Sequence, residues 1–296
     1  MKNIYYLLTI GILLLSSSIM AQNANNFAFY RNQMTIINPA YAGVDNQTVA
    51  ALSFRTQWTG IEDSPRSQAG FLATPIAKNL GFGVSVFNEK TFVEKQTSIA
   101  IDLSYLVKLN EETNLYFGIK AGGNSFVVNT SGLELYSVGV DPAFGSVKSS
   151  FTPNVGVGAL LKNEKYFLSI SAPKLISFKD VKNVDGYALV STNRPQLYAS
   201  AGYDFNLNPS GTLILKPSFM ARFITAAPVS VDINTMLSIN DIFEVGGLYR
   251  TTGAVAAMAS VTVSKKLCIG FAYEITTKAE LASAKNTNEF LLQYKF

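Results

Sequence analysis

The chain has 296 residues, of which 15% are charged and 12% aromatic, with a formal net charge of +4 and no histidine. The missing histidine removes the usual general base, the Ser-His-Asp triad and most zinc sites, and the scattered Lys and Arg residues form no patch for nucleic acid. The single cysteine, Cys268, excludes an internal disulfide, and beyond the N-terminus no apolar run approaches the ~20 residues that a helical membrane span needs.

Lys2, the apolar stretch Ile4–Leu15 and the small-residue site ending at Ala21 have the order of a cleavable signal peptide, assigned to residues 1–21. Residues 22–46 come before any strand pattern and contain Phe27, Phe29, Tyr30, Ile36, Ile37 and Tyr41. A free tail so rich in aromatics would be poorly soluble. It is therefore expected to pack against or inside the periplasmic mouth as a plug-like segment, with Asn38-Pro39 turning the chain into the first strand.

Residues 47–296 are expected to form one all-β domain, a transmembrane antiparallel barrel of about fourteen strands. The signal is strict alternation, as in Thr97, Ile99, Ile101, Leu103 and Tyr105 against Ser98, Ala100, Asp102 and Ser104. Side chains alternate across a strand, so each such segment has one apolar and one polar or small face. Strands are placed near 48–58, 66–74, 80–88, 95–107, 115–126, 153–161, 165–172, 196–205, 212–223, 229–238, 243–250, 254–263, 267–274 and 287–296. Connections after even strands are brief, whereas the three longest, Val127–Thr152, Pro173–Pro195 and Ile275–Asn286, follow odd strands. Short periplasmic turns alternating with longer external loops are the pattern of an outer-membrane barrel; the parity puts both termini in the periplasm.

The same parity assigns Arg55, Arg66, Lys120, Lys216, Arg222, Arg250 and Lys295 to the polar face, together with Asp102, Asp204, Asp232, Glu244, Glu274 and Glu289. Basic residues facing lipid at the midplane would cost roughly 2–4 kcal/mol each, so these should point into the lumen. Nearly balanced charges suggest a lumen crossed by ion pairs and closer to a plugged barrel than to a selective pore. Cys268 falls on the same face and reads as an inert small residue, and Trp58 as an interfacial belt residue. The glycine pairs Gly81-Phe82-Gly83 and Gly156-Val157-Gly158 lack the following helix of a phosphate loop and read as small residues on a crowded lumen face.

Asn38-Pro39-Ala40-Tyr41-Ala42-Gly43 is, taken alone, a turn: Pro fixes its backbone and Gly permits positive φ. Together with Arg55-Thr56-Gln57-Trp58, Lys216-Pro217-Ser218, Gly247-Leu248-Tyr249-Arg250 and the ending Asn288–Phe296, it resembles the PorP/SprF family of type IX secretion and gliding proteins. Asn288 departs from the histidine that many members carry before the following glutamate. The resemblance runs from about Tyr30 to the C-terminus. It implies a non-catalytic outer-membrane protein, without cofactor or metal, that binds secreted cargo through a C-terminal sorting domain or contacts periplasmic components of the machine.

Two alternatives remain in view: a passive channel or small-hydrophobe transporter, and a barrel-embedded hydrolase, which the absence of histidine disfavours. If cargo binds at the long connections, the candidate cargo-facing residues are Leu133, Leu135, Tyr136, Phe144, Ile176, Phe178 and Tyr187. The competing account of the same residues is a lid over the barrel mouth.

Overall fold

Alternation is what builds the wall. In the strand around Asp102, the side chains of Ile99, Ile101, Leu103 and Tyr105 are exposed on one face, while Asp102 and Ser104 are buried on the other. The computed structural model describes residues 26–129, 147–176, 178–184, 187–193, 195–225, 227–277 and 286–296. Its strands are β1 (Val49–Thr56), β2 (Arg66–Ala77), β3 (Leu80–Thr91), β4 (Glu94–Lys108), β5 (Asn114–Asn129), β6 (Val147–Lys162), β7 (Tyr166–Lys174), β8 (Phe178–Val184), β9 (Tyr187–Asn193), β10 (Gln196–Tyr203), β11 (Phe205–Asn206), β12 (Leu213–Ile224), β13 (Ser230–Ile239), β14 (Phe243–Arg250), β15 (Ala254–Val263), β16 (Leu267–Thr276) and β17 (Thr287–Lys295).

Fourteen of these seventeen form a closed antiparallel barrel; the exceptions are the separate β8–β9 hairpin and the stub β11, which adds to β12. One run of neighbours links β10 through β7 to β1, then β17 back to β12, and pairing of β10 with β12 completes the ring. β1 pairs with β17 from Val49↔Lys295 to Thr56↔Asn288. Closure leaves the barrel no unpaired edge. At one end, here the turn end, the connections β2–β3, β4–β5, β6–β7, β13–β14 and β15–β16 are short, and β1 begins and β17 finishes there.

The fourteen expected strands are all present, but three expectations change. The first concerns Arg66, which is exposed on the outward face because Ala69, Phe71 and Ala73 of β2 point inward and Leu72 outward. Adjacent Phe71 and Leu72 offer two possible apolar faces, and the inward position goes to Phe71, which joins the internal core. Second, the expected loops are partly sheet: the β5–β6 ladder continues out to Asn129↔Val147, and the expected loop Pro173–Pro195 contains the β8–β9 hairpin. Third, β1 stops at Thr56; Gln57 donates its N–H to the Pro65 carbonyl, and Trp58, at φ 50°, lies in the β1–β2 connection.

The core is inside the barrel. Leu160, Tyr198, Met220, Met236, Leu248, Met258 and Leu291 are inward and buried, and most of them pack in one cluster with Phe29, Tyr30, Met34 and Ile37. These last four belong to residues 26–48, which precede β1 and lie within the ring of strands as a run of short helical turns, Tyr30–Asn32, Met34–Ile37, Pro39–Tyr41 and Val44–Asn46.

Candidate functional site

The chain before β1 is held across the lumen by two distinct devices. The first is built by the Asn38–Gly43 motif. Asn38 is fully buried; its side-chain amide donates to the Ala159 carbonyl (3.0 Å) and Ser169 Oγ (2.9 Å), while its Oδ1 accepts from the N–H of Ala40 (2.9 Å). That last bond caps the turn Pro39–Tyr41, with Pro39 at its first position, where the missing N–H is no loss. Ala40 and Ala42 are completely buried. They lie flat on the wall because the facing positions carry no side chain: a Cβ at Gly118 would stand 2.2 Å from the Ala40 nitrogen, and one at Gly158 would stand 1.9 Å from Asn38 Oδ1. Ser104 Oγ donates to the Ala42 carbonyl, and Gly43, at φ 67°, then turns the chain towards β1. Tyr41 packs on both internal clusters, beside Leu160 and Phe167 on one side and the larger core on the other.

The second device is a chain of buried ions on the opposite wall. Arg222 pairs with Asp232, Asp232 with Arg250, Arg250 with Glu274 (2.9 Å), Glu274 with Arg55 (2.6 Å), and Arg55 with Glu289 (3.5 Å). Three guanidinium groups thus meet three carboxylates, and the network carries no net charge. Each side chain in it is buried. The spare valences reach the N-terminal segment: Glu289 accepts the backbone N–H groups of Ala28 (2.7 Å) and Phe29 (3.0 Å), and Arg250 donates to the Asn26 carbonyl (2.9 Å). Across the lumen, Lys120 pairs with Asp102 (2.8 Å).

Further contacts fix the middle of the segment. Tyr30 OH and Ser218 Oγ lie 2.8 Å apart, a hydrogen bond that either hydroxyl can donate. Arg31 pairs with Asp204 at 2.9 Å and lies over the Phe167 ring. The Asn32 side-chain amide donates to Gln293 Oε1 (3.2 Å), and the Gln293 amide donates back to the Asn32 main-chain carbonyl (3.1 Å). At the turn end the segment forms the floor of an open vestibule of about 1060 Å³, rimmed by Lys78, Lys108, Lys165, Glu111, Glu112 and Glu164.

The sequence motif and the Arg55 strand are therefore brought into one function, since Arg55 anchors the network that grips Ala28 and Phe29, while Asn38–Ala42 grip the far wall. Trp58 and Gln57 stand apart, in the β1–β2 connection. Asn288, the departure from the histidine expected there, donates from its amide to Thr59 Oγ1 at 3.0 Å and so ties the start of β17 to that connection. Cys268 is on the inward face as expected and half-buried. Of the candidate cargo-facing residues, Leu133, Leu135, Tyr136 and Phe144 lie outside the described residues; Ile176 is half-buried, and Phe178 and Tyr187 open β8 and β9. Sequence reasoning missed the inward-facing Met220, Met236, Met258 and Leu160; their signal was the occasional apolar residue on an otherwise polar face.

A closed fourteen-strand barrel with bulky apolar residues around its outside defines an outer-membrane β-barrel protein. The family model described as type IX secretion system membrane protein PorP/SprF matches residues 19–294, and the chain belongs to that family. Among solved structures, the toluene transporter TodX of P. putida is similar at a TM-score of 0.52 and 11% identity, over 89% of this chain and 93% of that one. A Pseudomonas aeruginosa FadL homologue matches at 0.49 and 13% identity, over 88% and 93%. The Acinetobacter baumannii outer-membrane protein Omp33 matches at 0.48 and 7%, over 85% and 99%. No curated protein matches the chain in sequence.

Proposed function

We propose that the protein is a non-enzymatic docking barrel of the type IX secretion system, its lumen closed by the segment assigned to residues 22–46 and its partners held at the two rims. The observation that carries this reading is the filled lumen: Phe29, Tyr30, Met34 and Ile37 pack against inward side chains of the wall. A channel needs a continuous path with a lining that favours its solute; here the buried charges neutralise one another. Family membership and the absence of histidine support a role in secretion rather than catalysis.

In the finer form of the proposal, the turn end faces the periplasm, with the C-terminus there, and its vestibule receives a periplasmic component. Secreted proteins bearing a C-terminal sorting domain dock at the other end, on the connections holding Leu133, Leu135, Tyr136, Phe144, Ile176, Phe178 and Tyr187. TodX is a transporter, but at 11% identity the likeness is one of fold, and it lends no weight to a transport role.

The test is retention of cargo. Outer membranes are cross-linked, the barrel is affinity-purified and bound proteins are identified by mass spectrometry. Recovery of proteins with a C-terminal sorting domain, lost when Leu133, Leu135 and Tyr136 are replaced by Ser, is expected. Unchanged recovery from that variant contradicts the docking surface, and recovery of none contradicts the function.

A further inference from the structure

Among the described strand residues, the charged side chains on the outward face are Arg66 of β2, Lys90 of β3 and Lys95 of β4, all three basic and exposed. They are direct cross-strand neighbours, Arg66 opposite Lys90 and Lys90 opposite Lys95. The other strand charges whose side chains are described point inward or lie at the turn end.

Like charges directly opposite one another destabilise a sheet. Among the described residues little offsets them: Asp63 lies 3.8 Å from Lys90 with both side chains about half exposed, and such a pair contributes little. Glu89 and Glu94, adjacent in sequence to this row, are on the inward-facing register of their strands. Among the described residues the row stays uncovered: β3 and β4 are joined only by Phe92 and Val93, Phe92 is itself exposed, and the β1–β2 connection reaches the row only through Asp63, whose carbonyl accepts the Phe92 N–H.

Position along the barrel points to the compensating charge. The next outward row is polar and uncharged, Gln68, Asn88 and Thr97, and beyond it the face is mainly apolar from Gly70, Val86 and Ile99 to Leu80 and Tyr105. From Lys95 to Tyr105, at ~3.3 Å per residue and a strand tilt of ~40°, is about 25 Å along the membrane normal, the height of a barrel's apolar band. With Tyr105 at one interface, the basic row stands at the level of the lipid headgroups at the other. There a lipid-facing Lys or Arg is tolerated, and an anionic headgroup turns the repulsion into attraction.

We infer that Arg66, Lys90 and Lys95 form a lipid site on one flank of the barrel that binds the phosphate groups of a phosphorylated glycolipid of the outer leaflet. The choice of leaflet rests on the proposed orientation, with the turn end in the periplasm; the preference for phosphate does not.

Native mass spectrometry of the full-length barrel, titrated with bis-phosphorylated lipid A, its dephosphorylated form and phosphatidylglycerol, tests both parts. The variant carrying Arg66→Gln, Lys90→Gln and Lys95→Gln should bind bis-phosphorylated lipid A roughly a hundred-fold more weakly, about five-fold per cation. It should bind the dephosphorylated lipid as the parent does. Heat-dependent gel migration verifies that the variant is folded; if the triple variant does not fold, Lys90→Gln alone carries the comparison at about five-fold. Equal binding by parent and variant, or no preference for the phosphorylated lipid, overturns the site. Preference for phosphatidylglycerol over lipid A overturns the leaflet assignment alone.

Discussion

Asn38 Oδ1 occupies the space that a side chain at position 158 would need, only 1.9 Å from where the Cβ of residue 158 would sit. The glycine on β6 and the asparagine of the N-terminal motif are thus two halves of one contact. Replacing Gly158 by Val should expel Asn38 from its pocket, and Asn38→Ala should leave the Ala159 carbonyl and Ser169 without that donor. A lost buried hydrogen-bond partner costs about 1–3 kcal/mol. Both variants should therefore lower the urea midpoint of the detergent-solubilised barrel and expose the chain before β1 to limited proteolysis. A Gly158→Val barrel with parental protease resistance would show that the contact is dispensable.

The Lys120–Asp102 pair stands apart from the arginine network, so it can be dissected cleanly. Lys120→Met leaves a buried carboxylate unpaired and Asp102→Leu leaves a buried ammonium, each expected to destabilise by about 3–5 kcal/mol. The double variant should recover most of that loss, since apolar replacements of a buried pair are often neutral. Equilibrium unfolding of the three variants measures this, and additive losses would contradict it.

Position can be tested covalently. A Cβ built on Gly83 would lie 3.3 Å from the Ala42 Cβ, close to the separation of disulfide-linked pairs. In a Cys268→Ala background, Ala42→Cys with Gly83→Cys should cross-link without added linker in isolated outer membranes, detected by peptide mapping. Free thiols at both positions under mild oxidation would place the segment elsewhere.

Much of the wall could be read from sequence because lipid outside and a polar interior impose a period of two, as in Ile99–Tyr105 against Ser98–Ser104. The inward assignment of Arg55, Lys120, Asp102, Asp232, Glu274 and Glu289 followed from the same parity. Parity misassigned Arg66, where Phe71 and Leu72 are both apolar and only the internal core decides between them. The conformation of residues 26–48 carried no periodic signal: its turns are set by fit against the wall at Gly118 and Gly158, a property of residues distant in sequence. The β8–β9 hairpin was missed because Phe178–Val184 shows no sustained alternation. The ion chain could be read as a set of inward charges but not as pairs, since pairing depends on strand order around the ring.

The central claim is that the lumen is closed by the chain before β1, and current across a planar lipid bilayer measures it directly. The intact protein should insert without stable conductance steps. A variant lacking residues 26–46, verified as folded by heat-dependent gel migration, or Gly158→Val if that deletion does not assemble, should give long-lived openings. Sustained openings from the intact protein, indistinguishable from those of the variant, would contradict the account.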